Sequence, residues 1–411
     1  MSARRILYLA AHGGFAGENL PLGGGAAVSE LLLEEWGRRG LEVKLISPAV
    51  LGGGAPGGRE LVEYNERQYA AFCDAFREAS TEEALRHDPA TTSILVNDIS
   101  EGPDFARLRA AGFRVVTIYH VDVVAYIAAI YLRGVVGPAA LARTWEGLRA
   151  MGAARIAPRI LRLIFEQQRA SLEYSNAVVV PSVGMKEILL AGYRGARAER
   201  IHVVGWGAPP AAEADPAIDP RREYGAPDEA RVLLCLSRIS PEKGQDRLLE
   251  SLLAWEESGR MPERPVWLFI CGEAAFMNGR KHMEKLQALA ARLKRIRVVF
   301  PGYVAGGRKR AFFAMADLYV FPSRHESYGL TLMEALNAGL PAVCVENAGS
   351  REIMTPELGV TVQAGEPLWP AIAGLLEDEE RRAGMGRAAV EFAAARPFRA
   401  SAARLAELLL G

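Results

Sequence analysis

Pro322-Ser323-Arg324-His325-Glu326-Ser327-Tyr328-Gly329-Leu330-Thr331-Leu332-Met333-Glu334-Ala335-Leu336-Asn337-Ala338-Gly339-Leu340-Pro341 is the stretch from which the rest of the chain is best read. An apolar strand over 317–321 runs into it and another, over 342–345, follows. Between them, two carboxylates, Glu326 and Glu334, flank a bend at Gly329 that opens a short helix. Carboxylates at such a bend repel an anion but accept hydrogen bonds from hydroxyls. The helix start offers free backbone N–H groups to a phosphate. A ligand with hydroxyls at both ends and a diphosphate between them fits this layout, and a nucleotide sugar is such a ligand.

Outward from this stretch the same alternation recurs. In the first half, strands are expected at 6–10, 41–47, 93–97, 114–119, 177–180 and 201–204, with a loop over 12–25 and a helix over 26–38. Residues 206–220, rich in Pro, Ala and Asp, interrupt the pattern as a linker. It restarts with strands at 232–237, 266–271 and 298–300 and helices at 246–255, 281–293 and 309–314, and an amphipathic helix over 398–410 ends the chain. Buried-type strands alternating with helices predict parallel sheets covered on both faces. The expected architecture is two doubly wound domains facing across a cleft, with ligands at the carboxyl ends of the strands. The boundaries are 1–205 for the first domain, 206–220 for the linker, 221–385 for the second domain, and 386–411 for a helical segment packing back on the first.

Composition narrows the function classes. The 411 residues carry 49 Lys and Arg against 49 Asp and Glu, so no overall basic field favours nucleic acid. Cys73, Cys235, Cys271 and Cys344 form no C-x-x-C pair and are expected as buried thiols of a reduced compartment. The apolar run after Arg4 and Arg5 is too short for a secretory signal, and 125–132 is too short to span a bilayer, so a cytoplasmic location is expected.

Four constellations carry chemistry. In Leu236-Ser237-Arg238-Ile239-Ser240-Pro241-Glu242-Lys243-Gly244, two cations follow a strand and precede a helix, a layout suited to clamping a diphosphate; solvated surface cations are the alternative. Glu326 and Glu334 are the second, with a helix-dipole role for Glu334 and an exposed loop for Glu326 as the alternatives. His325-Glu326 begins like a zinc H-E-x-x-H, but Gly329 stands where the second histidine belongs. The third is Gly23-Gly24-Gly25 ahead of a helix, which lets backbone approach a phosphate or sugar; Val28 breaks the dinucleotide fingerprint, and no G-K-[S/T] is present. The fourth is His120, leaving a buried strand at its carboxyl end, followed by Asp122.

In this order the pieces resemble the retaining GT-B glycosyltransferases, specifically the family 4-like group. The match is carried by the glycines at 23–25, His120, Arg238 and Lys243, and Glu326-x7-Glu334 followed by Ala338-Gly339-Leu340-Pro341. Ser327 stands where the family usually has glycine. The resemblance implies that Arg238 and Lys243 grip the donor diphosphate, that Glu326 bonds hydroxyls of the transferred sugar, and that Glu334 bonds the nucleotide ribose. It implies further that the N–H groups near Gly329, Leu330 and Thr331 approach the phosphates, that Gly23, Gly24 and Gly25 touch the donor, and that His120 lies beside the anomeric carbon.

The implied reaction is transfer of a sugar from a UDP-, GDP- or ADP-sugar to an acceptor hydroxyl with retention, by front-face attack. No D-x-D is present, so neither a metal nor another cofactor is expected. Domain closure would exclude water. The competing readings are a nucleotide-sugar epimerase of the same fold and a non-catalytic sugar-nucleotide binder; an NAD-dependent oxidoreductase is disfavoured by the broken fingerprint. Between Arg133 and Arg169, seven Arg stand against two Glu, interleaved with apolar residues. That composition suits either a peripheral contact with an anionic membrane or a helix with a solvated arginine face.

Overall fold

The computed structural model describes residues 5–14, 23–128, 136–213, 215–274 and 279–411. Residues 15–22 of the expected glycine loop and 133–135 of the arginine-rich segment lie outside these. The chain divides into two compact units, residues 1–206 with 399–411 and residues 207–398.

The first unit is built on β1 (Arg5–Leu9), β2 (Val43–Ile46), β3 (Thr92–Val96), β4 (Arg114–Ile118), β5 (Ala177–Val180) and β6 (Ile201–Val203), in the order β2-β1-β3-β4-β5-β6. Every pairing is parallel. Strands such as Ile6–Leu9 and Ile94–Val96 are buried along their whole length because helices cover both faces. Leu7, Leu9, Ile94, Val96 and Val115 pack with Phe105 and Leu108. The helix Phe398–Leu410 packs within this unit. Trp36 Nε1 donates to Ala402 O at 2.9 Å, and Ser93 Oγ donates to Leu409 O at 2.7 Å.

The second unit holds β7 (Arg231–Leu236), β8 (Val266–Cys271), β9 (Ile296–Gly302), β10 (Leu318–Phe321), β11 (Ala342–Val345) and β12 (Gly359–Val362), in the order β12-β11-β10-β7-β8-β9. These pairings are also all parallel. The sixth strand, β12, is not among the sequence expectations. Its four residues pair only with β11 and carry a weaker apolar signal. The helix Glu379–Ala394 belongs to this unit, packed against the helix Leu330–Asn337. The chain therefore leaves the second unit at 398/399, later than the expected 386. Of residues 206–220, expected as linker, 207–220 fall within the second unit as well, where Ala208 bridges to Pro397 in parallel.

Strand order fixes where a ligand can sit. A doubly wound sheet opens a crevice where neighbouring strands send their connections to opposite faces, at the carboxyl edge. In the first unit that point lies between β1 and β3, and in the second between β7 and β10. The loops leaving β7 and β10 are those that carry Arg238, Lys243 and Glu326.

All four cysteines are buried and unbridged, and burial pushes the Cys73 and Cys235 thiols up to about 12. No helix among the described residues is long and apolar enough to cross a membrane.

Candidate active site

After β7 the chain makes one 3-10 turn, Pro241–Lys243, and enters the helix Gln245–Glu257 through Gly244. Gly244 has φ +67°, and a Cβ there would lie 2.1 Å from Pro322 O, so only glycine lets this loop close on the loop after β10. The closure is reinforced. Arg324 N donates to Glu242 O at 2.8 Å, and Arg324 Nη1 donates to Pro241 O and to Asp246 Oδ1, each at 2.7 Å. Lys285 Nζ takes the other Asp246 oxygen at 2.7 Å. Burial pushes the Asp246 carboxyl up, but Arg324 and Lys285 outweigh it and hold the group down at about 2.

This packing brings Lys243 and Glu326 together. Lys243 Nζ donates to Glu326 Oε1 at 2.6 Å, and Ser323 Oγ donates to the same oxygen at 3.0 Å. Both side chains are mostly buried. The Glu326 backbone is fixed from behind, its carbonyl accepting from Gly349 N at 3.0 Å, while Asn347 Nδ2 donates to Ser323 O at 3.0 Å. Arg238 joins the same loops through Glu242, with Nη2 at 3.3 Å from Oε1. Burial raises the Glu242 carboxyl, yet the Ser240 hydroxyl and the two cations hold it below its ordinary range.

Gly329, at φ +107°, caps the helix Leu330–Asn337, whose first N–H groups have no intrahelical acceptor. Tyr319 Oη donates to Leu236 O at 3.0 Å and lies 2.9 Å from the Thr331 hydroxyl, which can donate to it, tying this helix start to the end of β7. Glu334 is held by Lys309, whose Nζ donates to Oε1 at 2.6 Å. The Ser327 hydroxyl is buried without a hydrogen-bond partner among the described residues.

In the first unit the glycines and His120 meet. Gly23, at φ +95°, caps the helix Gly24–Arg38, and a Cβ on Gly25 would lie 3.2 Å from His120 Cδ2. Gly24 has nothing within 4 Å of the equivalent position. His120 stacks on Trp206, centroids 5.5 Å apart, and its Nε2 lies 2.8 Å from Asn97 Oδ1, which also accepts from Tyr8 Oη at 2.6 Å. An acceptor at that place assigns the proton to Nε2 and leaves Nδ1 bare. Burial pushes the imidazole down to about 4, so it is neutral at neutral pH.

Asp122 takes a structural part. It caps the helix Val123–Tyr126, and its Oδ1 accepts from Val124 N at 2.9 Å, Ala125 N at 3.1 Å and Gln168 Nε2 at 2.6 Å.

Sequence reading misses Asn97, Trp206, Arg324, Asp246 and Lys309. The signal for Asn97 is the one that marks His120, a polar residue ending a buried strand. Arg324 lies inside the stretch that opens the reading. Lys309 stands 25 residues before Glu334 and has no local signal.

Residues 218–392 match the family described as Glycosyl transferases group 1. D-inositol 3-phosphate glycosyltransferase of Corynebacterium glutamicum is 33% identical over 46% of this chain and 45% of its own length. GDP-mannose-dependent alpha-(1-6)-phosphatidylinositol monomannoside mannosyltransferase of Mycolicibacterium smegmatis is 33% identical over 46% of this chain and 50% of its own. The chain thus spans about half the length of the curated relatives it matches. Sucrose-phosphate synthase from Thermosynechococcus elongatus superposes over 98% of each chain with TM-score 0.72 at 17% identity. The fold is that of the GT-B glycosyltransferases.

Proposed function

We propose that the chain is a retaining, family 4-like glycosyltransferase that moves a sugar, with a hexose expected, from a nucleotide-diphosphate sugar to an acceptor hydroxyl without a metal. The observation that carries this reading is the Lys243–Glu326 contact at the β7/β10 switch point. One loop supplies a cation for a diphosphate, the next a carboxylate for the attached sugar, and they touch. Lys243 has three N–H donors and spends one on Glu326, which leaves two for phosphate oxygens. Both bonds to Glu326 fall on Oε1, so Oε2 can accept from a sugar hydroxyl. Arg238 adds the second positive charge, and the N–H groups at Gly329, Leu330 and Thr331 add donors along the helix axis. Glu334, with Lys309 on Oε1, keeps Oε2 for a ribose hydroxyl.

Cleaving the bond between sugar and diphosphate builds negative charge on the leaving oxygens. Fixed cations at those oxygens lower the barrier because they need no reorganisation at the moment of reaction. In this reading His120, neutral and held by Asn97, orients the sugar, and the acceptor proton goes to a donor phosphate oxygen. The relatives named above act on inositol phosphate or a phosphatidylinositol mannoside, and one uses GDP-mannose. Polyol acceptors and a GDP-sugar therefore belong in the first assays, beside UDP- and ADP-sugars.

The test is incubation with UDP-, GDP- and ADP-hexoses, with and without polyol phosphates, following nucleoside diphosphate release and the anomeric configuration of the product. Release that is unaffected by EDTA, with configuration retained, is expected. A changed sugar on an intact donor, with no nucleoside diphosphate released, would instead make the chain an epimerase.

A further inference from the structure

Among the described residues the two most exposed large apolar side chains are Ile156, 92% exposed, and Met151, 75%; the next, Val183, is 49%. The two lie five positions apart, and Leu148, exposed at 36%, is close by in sequence. They stand at one turn. The helix Pro138–Ala150 ends, Gly152 at φ +74° reverses the chain, and a 3-10 turn, Ala153–Ile156, follows. The turn is pinned from inside, since Trp145 and Ala154 are both buried in one core with Phe165, and Trp145 stacks on Phe165 at 4.5 Å between centroids. With those residues facing inward, Met151 and Ile156 are held outward.

The charge around them is mostly positive. From 141 to 162 the chain carries five arginines and one acid, Glu146. Glu146 pairs with Arg149 at 3.2 Å, and Asp74 from the helix Glu66–Leu85 pairs with Arg159. Arg155, beside Ile156, is exposed and forms no ion pair among the described residues.

The geometry points to a membrane-docking tip, in which Met151 and Ile156 enter the acyl boundary of an anionic bilayer while Arg149, Arg155 and Arg159 meet its headgroups. Rigidly displayed apolar side chains ringed by arginine match such a surface, where insertion and charge attraction act together. A second copy of the chain fits the charge less well, because a two-fold contact sets the same arginines against each other. The inference is independent of the catalytic reading.

Flotation of the full chain with vesicles of phosphatidylglycerol and phosphatidylcholine, or of phosphatidylcholine alone, tests it at low and high salt. Binding to the anionic vesicles alone, weakened by salt, is expected. Met151→Ser with Ile156→Ser, and separately Arg149→Gln with Arg155→Gln, should each weaken binding at least about tenfold while the unfolding transition is unchanged. No binding to anionic vesicles at low salt, or binding indifferent to both pairs of substitutions, overturns the proposal. Dimerisation without vesicles that Met151→Ser with Ile156→Ser abolishes would assign the face to a second copy and overturn it as well.

Discussion

The β7/β10 loops of the second unit and the β3/β4 strand ends of the first solve different electrostatic problems. The former gather ion pairs: Lys243 with Glu326, Arg238 with Glu242, Arg324 and Lys285 with Asp246. The latter has no ion pair on its imidazole: burial holds His120 below its ordinary range among an amide, a phenol and an indole, against the opposing pull of Asp98, whose Oδ1 accepts from Asn97 Nδ2 at 3.2 Å. Paired charges at a strand end can exchange partners with an incoming diphosphate, whereas an uncharged imidazole held by an amide and an indole carries no charge to exchange. In the proposed function the first region handles charge and the second sets orientation.

The sharpest way to break that division is Lys243→Ala. It removes a charge-stabilising donor, and kcat should fall by about 10²-fold or more; near-normal turnover in a steady-state assay would take the cation out of the chemistry. Glu326→Gln comes next. Transfer should fall at least about tenfold while nucleoside diphosphate affinity measured by calorimetry changes little, because in the proposed function the carboxylate serves the sugar; equal losses would give Glu326 another role.

Arg324→Ala tests whether the loops must be latched. A loss of several-fold in kcat and about 1 kcal/mol of stability in a denaturant titration is expected, the pair being partly exposed. The Asp246 carboxyl is depressed when folded, so its contribution is complete above the ordinary value of 3.8 and is lost as pH falls toward about 2. Arg324→Ala should flatten that acid limb.

The smallest effect concerns the His120 cluster. With His120 at about 4, kcat should stay flat from neutral pH down to about pH 5. Asn97→Asp places a carboxylate on Nε2 and should raise the imidazole, adding a limb nearer neutrality. A limb near the ordinary histidine value in the unaltered protein would show that the cluster does not exclude charge.

The same contrast explains what was legible beforehand. Arg238 and Lys243 sit five residues apart in one strand-end loop, and Glu326 and Glu334 eight apart across the next loop and the helix it opens, so each pair is readable from local spacing. The alternation of apolar runs, most of them buried on both faces, reveals the parallel sheets in the same way. The His120 site is assembled from β1, β3, β4 and residue 206, and no spacing links Tyr8, Asn97, His120 and Trp206. Lys309 reaches Glu334 from another helix, Gly306–Met315, so its partner emerges only from the packing. The boundary at 398/399 was equally hidden, because the helix Glu379–Ala394 carries little sidedness to say which unit it covers.

In the proposed function the switch point between β7 and β10 receives a diphosphate through Lys243. Thermal unfolding with UDP, GDP and ADP, on the unaltered chain and on Lys243→Ala, tests it most directly, since a ligand selective for the folded state raises its stability. At least one nucleoside diphosphate should raise the unfolding temperature of the unaltered chain, and the shift should largely vanish in the variant. No shift with any of the three, or an equal shift in the variant, would contradict the account.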